Sequence, residues 1–211
     1  MKHRLALLAI GGTVASFGLA AAQAGPREAD AMARCVVAAD RGAALAALDS
    51  LPLDSSPSQL DAAQLRGAGK CAPAPVAGSA IMLRGAIVEA LYKRDFVEFG
   101  LHPHRVASDL APVKIPERPA DPGGKYALGA CVSRSAPQLA DALFATEPGS
   151  KREDNAMAPM LAYFTACQAR FGGGGAQTAM TRAEMRSVIA QGAYANSVRY
   201  WAGGMRPLTN D

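Results

Sequence analysis

Beyond residue 24 the apolar residues recur mostly at helical spacing, broken by short polar or proline- and glycine-rich stretches. From Arg27 the positions Met32, Cys35, Val36 and Ala39 follow a helical period. Pro26 suits the first turn, where a missing N–H costs nothing, and Glu28 and Asp30 lie near the positive end of the helix dipole. Asp40 can cap a second, short helix carrying Leu45 and Leu48, which Pro52 closes. Ser56-Pro-Ser-Gln59 has the form of a capping box with proline at the first helical position. It predicts a helix through Leu60, Leu65 and Ala68, ending near Gly69. Ser79 can cap a third main helix, running through Leu83, Ile87 and Leu91 to about Phe99 and Gly100.

A similar pattern follows downstream. Leu128 to Ser133 carries Cys131, and Ser135 with Pro137 opens a short helix bearing Leu139, Leu143 and Phe144. Ser150-Lys-Arg-Glu153 is a capping box leading into Met157, Met160, Leu161 and Phe164, with Pro159 predicting either a kink or a helix that begins only at Asn155. Thr181-Arg-Ala-Glu184 caps the last helix. Between the two patterns, residues 101–125 contain Pro103, Pro112, Pro116, Pro119 and Pro122 and no helical period, which predicts a proline-stiffened linker.

The likeness of the halves extends to identities. Leu83-Arg-Gly-Ala-Ile-Val-Glu-Ala-Leu-Tyr92 returns as Met185-Arg-Ser-Val-Ile-Ala-Gln-Gly-Ala-Tyr194, pairing Arg84 with Arg186, Glu89 with Gln191 and Tyr92 with Tyr194. Pro148 stands 96 positions after Pro52, as Cys131 does after Cys35, and Phe171-Gly-Gly-Gly-Gly175 is the place where the second half is longer. The expected fold is all-α: two tandem related helical modules, 25–100 and 126–202, followed by a frayed tail at 203–211. High Ala and Leu with few aromatics favour helices.

The first 24 residues read as a signal peptide. Met1-Lys-His-Arg4 is positive, Leu5 to Ala22 is apolar, and Ala22-Gln-Ala24 offers small residues for a cut before Gly25. The competing reading, a retained anchor, is disfavoured by Gly11, Gly12 and Gly18 within the run, and no cysteine follows for lipid attachment. Processing removes Lys2 and Arg4 but no acid, leaving 20 basic residues against 18 acidic ones. That small excess has no Lys/Arg stripe interleaved with aromatics, so nucleic acid is excluded as the expected partner. The chain is expected in the periplasm or secreted, with no stable membrane span after cleavage.

Four cysteines in an exported chain point to two disulfides, and three pairings are possible. The repeat favours Cys35–Cys71 with Cys131–Cys167, each spanning 36 positions. Zinc is disfavoured because there is no C-x-x-C pair and no histidine in either repeated pattern, and the oxidoreductase spacing is missing too. No metal and no cofactor is therefore expected. His102 and His104, the only histidines after processing, sit on the linker without a third ligand, and Gly172–Gly175 lacks the lysine of a phosphate loop.

Arg84 and Tyr92, and likewise Arg186 and Tyr194, share a helix face eight residues apart. One reading makes them a paired anion or peptide site with guanidinium forks; the other has arginine bonding helix-end carbonyls while tyrosine packs in the core. The structural reading is favoured, and Glu89 fits catalysis poorly because its counterpart is Gln191. Arg34-Cys-Val-Val37, the capped helix ending in Cys71 and the run Leu83 to Tyr92 resemble a group of exported proteins of Gram-negative bacteria. The likeness covers most of residues 27–96 and, more loosely, 126–200. It carries over no catalytic residue and implies no function, and the second copy departs from it at Ser187, Gln191 and Gly192. The leading expectation is a non-enzymatic binding or structural protein of the cell envelope, with an envelope protein or peptide as partner. The alternative is a periplasmic hydrolase using carboxylates that the sequence does not identify.

Overall fold

Helix α1 (Pro26–Ala39) begins on its proline, and Asp40 both ends it and caps α2 (Arg41–Ser50), its Oδ1 accepting from the Ala43 N–H at 3.1 Å. The computed structural model describes residues 25–52, 54–60, 70–71, 75–99, 102–106, 124–171 and 180–202. Strands β1 (Pro57–Leu60) and β2 (Val76–Ser79) form an antiparallel pair that leads into α3 (Ala80–Asp95). Strands β3 (Phe96–Phe99) and β4 (His102–Val106) form a second pair. Helices α4 (Lys125–Ser135), α5 (Pro137–Phe144) and α6 (Lys151–Met157) follow, then a 3-10 turn at Ala158–Met160, α7 (Leu161–Phe171) and α8 (Arg182–Ala202). The fold is mostly helical, and two disulfides close it: Cys35–Cys71 (Cα–Cα 5.3 Å) and Cys131–Cys167 (5.9 Å). Each loop of 36 positions stabilises by about 4 kcal/mol on the chain-entropy account.

The capping expectations hold where they are local. Ser150 Oγ accepts from the Glu153 N–H at 3.2 Å while Glu153 Oε2 takes the Gly149 N–H at 2.7 Å. Thr181 and Glu184 form a reciprocal box, Glu184 N–H to Thr181 Oγ1 at 3.2 Å and Thr181 N–H to Glu184 Oε2 at 2.8 Å. Pro159 turns the chain through the 3-10 segment, and α6 begins at Lys151 rather than at Asn155.

Four expectations are corrected. Ser56-Pro-Ser-Gln59 does not open a helix: Pro57–Leu60 is extended, with Leu60 facing Val76. The reason is a demand from α3, whose first donors would otherwise be orphaned. Ser56 O accepts from Ala80 N–H at 2.8 Å and Asp54 O from Ile81 N–H at 2.9 Å. Backbone carbonyls thus do the work expected of the Ser79 side chain, which makes no capping bond. The third helix also stops at Asp95, because Phe96 turns extended (φ −124°) and begins β3. Part of the segment expected to be linker is therefore strand. The expected signal peptide (1–24), the helical stretch at Leu65 and Ala68, linker residues 107–123, the glycines 172–175 and the tail 203–211 lie outside the described residues.

The core is organised by contacts of α1 with α3, α3 with α8, and α8 with α4. One cluster of buried side chains runs through both halves, including Val36, Leu83, Ile87, Leu91, Val132, Leu143 and Ile189. The α4–α8 crossing depends on glycine. A Cβ on Gly129 would meet the Val188 carbonyl, and one on Gly192 would meet the backbone of Gly129 and Ala130. At the α3–α8 crossing, a Cβ on Gly85 would meet Ser187. Backbone atoms cannot move aside as a flexible side chain can. Gly192→Ala should therefore destabilise by about 3 kcal/mol, the upper end of the usual overpacking cost. Thermal melting followed by circular dichroism checks this, and an unchanged midpoint would mean that α4 and α8 do not approach so closely.

Candidate functional site

The charged residues of α3 and α8 are the obvious place to look for chemistry, since both helices are buried for most of their length. Arg186, 5% exposed, projects from the first turns of α8 into a shell of acceptors. Its Nε donates to Glu89 Oε2 at 2.7 Å and Nη2 to Glu89 Oε1 at 2.6 Å, a bidentate fork onto α3. Nη1 donates to Glu153 Oε1 at 2.9 Å and Thr146 Oγ1 at 3.1 Å, and Nη2 also reaches Thr146 O at 3.0 Å. All five guanidinium hydrogens are thereby used. Lys93, one turn along α3, adds a second cation to Glu89 at 2.6 Å. Burial pushes the Arg186 pKa down, but bonds and charge from Glu89 and Glu153 outweigh it and hold it above the ordinary value. Nearby Asp30, paired with Arg34 at 3.0 Å, titrates above the ordinary carboxylate range, chiefly because it is buried.

A second ionic centre lies further along α3. Asp95 is fully buried and accepts from Arg41 Nη2 at 2.9 Å, Arg94 Nη1 at 2.9 Å and the Tyr194 hydroxyl at 2.9 Å. Burial and then the Asp95 charge push the Tyr194 phenol well above its ordinary value. Tyr92 instead donates to Asp141 Oδ1 at 2.7 Å, with its ring edge-on to Phe144 at 5.4 Å.

Arg84 is half-buried and reaches the end of α2, where Nη1 donates to Leu48 O and Leu51 O, while its Nε meets Gln191 Oε1 at 3.4 Å. Arg84, Tyr92, Arg186 and Tyr194 thus each face a different set of protein acceptors. Arg84 bonds carbonyls at the end of α2, whereas Arg186 bonds mainly the carboxylates of Glu89 and Glu153 and takes the Thr146 carbonyl beyond the end of α5. Arg41 and Asp95 escaped sequence reasoning, and Glu153 was read there only as part of a capping box, not as a partner of Arg186. The counterparts of Arg41 and Asp95 in the other half are Pro137 and Ser197, so no repetition marks them.

Two further features lie at the surface. Ser55 Oγ donates to Glu184 Oε1 and accepts from Lys125 Nζ at 2.9 Å, with Lys125 and Glu184 3.9 Å apart. A cavity of about 540 Å³ opens where α1, α6 and α8 begin, lined by Pro26, Ser150, Lys151, Asp154 and Arg182 among others. Among the described residues, no three His, Cys, Asp or Glu side chains are grouped to hold a metal ion. No family model, curated protein or solved structure matches the chain.

Removing one partner of a buried ionic group strands the others. Arg186→Met should cost about 3–5 kcal/mol, because Glu89 and Glu153 lose their shared counter-ion. Arg84→Met, which strands two helix-end carbonyls, should cost about 1–3 kcal/mol. Urea denaturation of the two variants measures the difference, and equal costs would contradict the Arg186 network.

Proposed function

We propose that the chain is an exported helical protein of the bacterial cell envelope, belonging with the exported Gram-negative proteins it resembles, and that it acts by binding rather than catalysis. The observation that carries the export reading is a coincidence of positions. The cut expected before Gly25 falls one residue ahead of α1, whose Ala29 and Asp30 are already buried. Two disulfides agree with an oxidising compartment. Among the described residues no helix is long and apolar enough to cross a membrane. Binding is supported by the use of Arg84, Arg186 and Asp95 in the architecture, and by α7, which turns Phe164 and Cys167 inward while Leu161 (48%) and Tyr163 (38%) stay exposed. The partner is an envelope protein or peptide.

The proposal includes a duplication. Helices α1 and α4 carry the first cysteine of each bridge, α3 and α8 carry the repeated motif, and Arg84 and Arg186 each reach the segment following the second helix of their own half.

A second reading, a periplasmic hydrolase, has one observation in its favour: the exposed Ser55 hydroxyl lies between Lys125 and Glu184. Burial pushes Glu184 up, but bonds from Ser55 and Thr181 prevail and hold it below the ordinary carboxylate range, which makes it a weak base. Its other oxygen caps α8.

Fractionation with N-terminal sequencing tests export, and a cytoplasmic chain retaining Met1 would overturn it. Pull-down from envelope extract should capture a partner that a Leu161→Ser, Tyr163→Ser variant releases. Hydrolysis of ester or peptide substrates lost in Ser55→Ala would instead favour the enzyme.

A further inference from the structure

The crossing of α3 and α8 has an order that packing alone does not require. Gly85 lies against Ser187, and these are the same position in the two copies of the motif. Arg186 reaches across to Glu89, while Arg84 reaches across to Gln191, the counterpart of Glu89. Each arginine also turns back to its own half, Arg84 to Leu48 O and Leu51 O, Arg186 to Thr146 O. The tyrosines also reach across, though not to equivalent positions: Tyr92 donates to Asp141 on α5, while Tyr194 donates to Asp95 on α3 and accepts from Arg41 at the start of α2. Contacts in which i meets j and j meets i are the mark of an isologous interface, the kind made by two copies about a twofold axis.

We propose that the face of α3 centred on Gly85 is a self-complementary docking surface whose fitting partner is a second copy of itself, and that α8 occupies it as that copy, fused into the same chain. The inference rests on the reading of the halves as duplicates and adds to it the manner in which they pair.

A polar position on the crossing itself where the reciprocity is incomplete makes it testable. Gln191 stands where a second glutamate would complete the exchange, and Arg84 meets it only at 3.4 Å. Burial presses the Arg84 guanidinium below its ordinary value, whereas at Arg186 the carboxylates outweigh burial. In the full chain, Gln191→Glu should therefore set a carboxylate against Arg84 in a fork matching the one between Arg186 and Glu89. The thermal midpoint should rise by about 3 °C, and in an Arg84→Met background the same substitution should lower it. Glu89→Gln should lower the midpoint, and adding Gln191→Glu to it should recover part of the loss through Arg84. A response to Gln191→Glu that is the same with and without Arg84 overturns the inference.

An experimental structure of the Gln191→Glu chain separates this inference from the reading beneath it. Halves that superpose by rotation about the Gly85–Ser187 contact, but with Arg84 unpaired with the new carboxylate, overturn the pairing and leave the duplication standing. Halves that do not superpose overturn both.

Discussion

Four elements take their positions from the guanidinium of Arg186 on α8. Moving a guanidinium out of water costs several kcal/mol, and that cost is offset only if every hydrogen finds an acceptor and the charge finds a counter-ion. The acceptors here come from α3 (Glu89), the turn after α5 (Thr146) and the first turn of α6 (Glu153). A slide of α8 along α3 by one turn would break the fork to Glu89 and leave charges stranded. Glu153 serves twice: one oxygen holds Arg186, and the other takes the Gly149 N–H where the chain enters α6. Register between the long helices and the entry angle of a short one are thus set by the same group.

The apolar part of the core would permit more freedom. Helix α3 buries residues on every side, so no single stripe tells α8 where to lie. Direction comes from three fixed points along α3: Gly85, Glu89 and Asp95. The last two are six residues apart, about 9 Å along the axis. Glycines then let α4 close on α8 to backbone contact at Gly129 and Gly192. Disulfides act elsewhere, tying α1 to the segment before β2 and α4 to α7 at the periphery of this contact row.

What was legible in the sequence was local or repeated. Asp40, Ser150 and Thr181 cap helices because a cap needs only the next three residues. The cysteine pairing was legible because it occurs twice at equal spacing. Ser56 to Gln59 misled for the converse reason. The four residues satisfy a capping pattern by themselves, but the donors of Ala80 and Ile81, more than twenty positions away, claim the carbonyls of Asp54 and Ser56. Arg41 and Asp95 were invisible because they are 54 residues apart and present in one half only. Gly192 drew notice only as a departure from the motif, yet its missing side chain is what admits α4.

Under the proposed duplication, equivalent positions in the two halves have been put to unequal use. Arg186 has two carboxylates where Arg84 has carbonyls and an amide; Tyr194 leans on a buried ion pair where Tyr92 donates to a half-buried acid. A symmetric pair of separate chains could not do this, since any change would enter both sides of the contact at once. In one chain, two strong ionic centres beyond the Gly85–Ser187 crossing, at Glu89 and Asp95 on α3, are enough to fix the register. The remaining equivalents are then free to lose charge without loss of register. Gln191 fits that account: it keeps the shape of a glutamate and a long bond to Arg84, while the register is already held at Glu89 and Asp95.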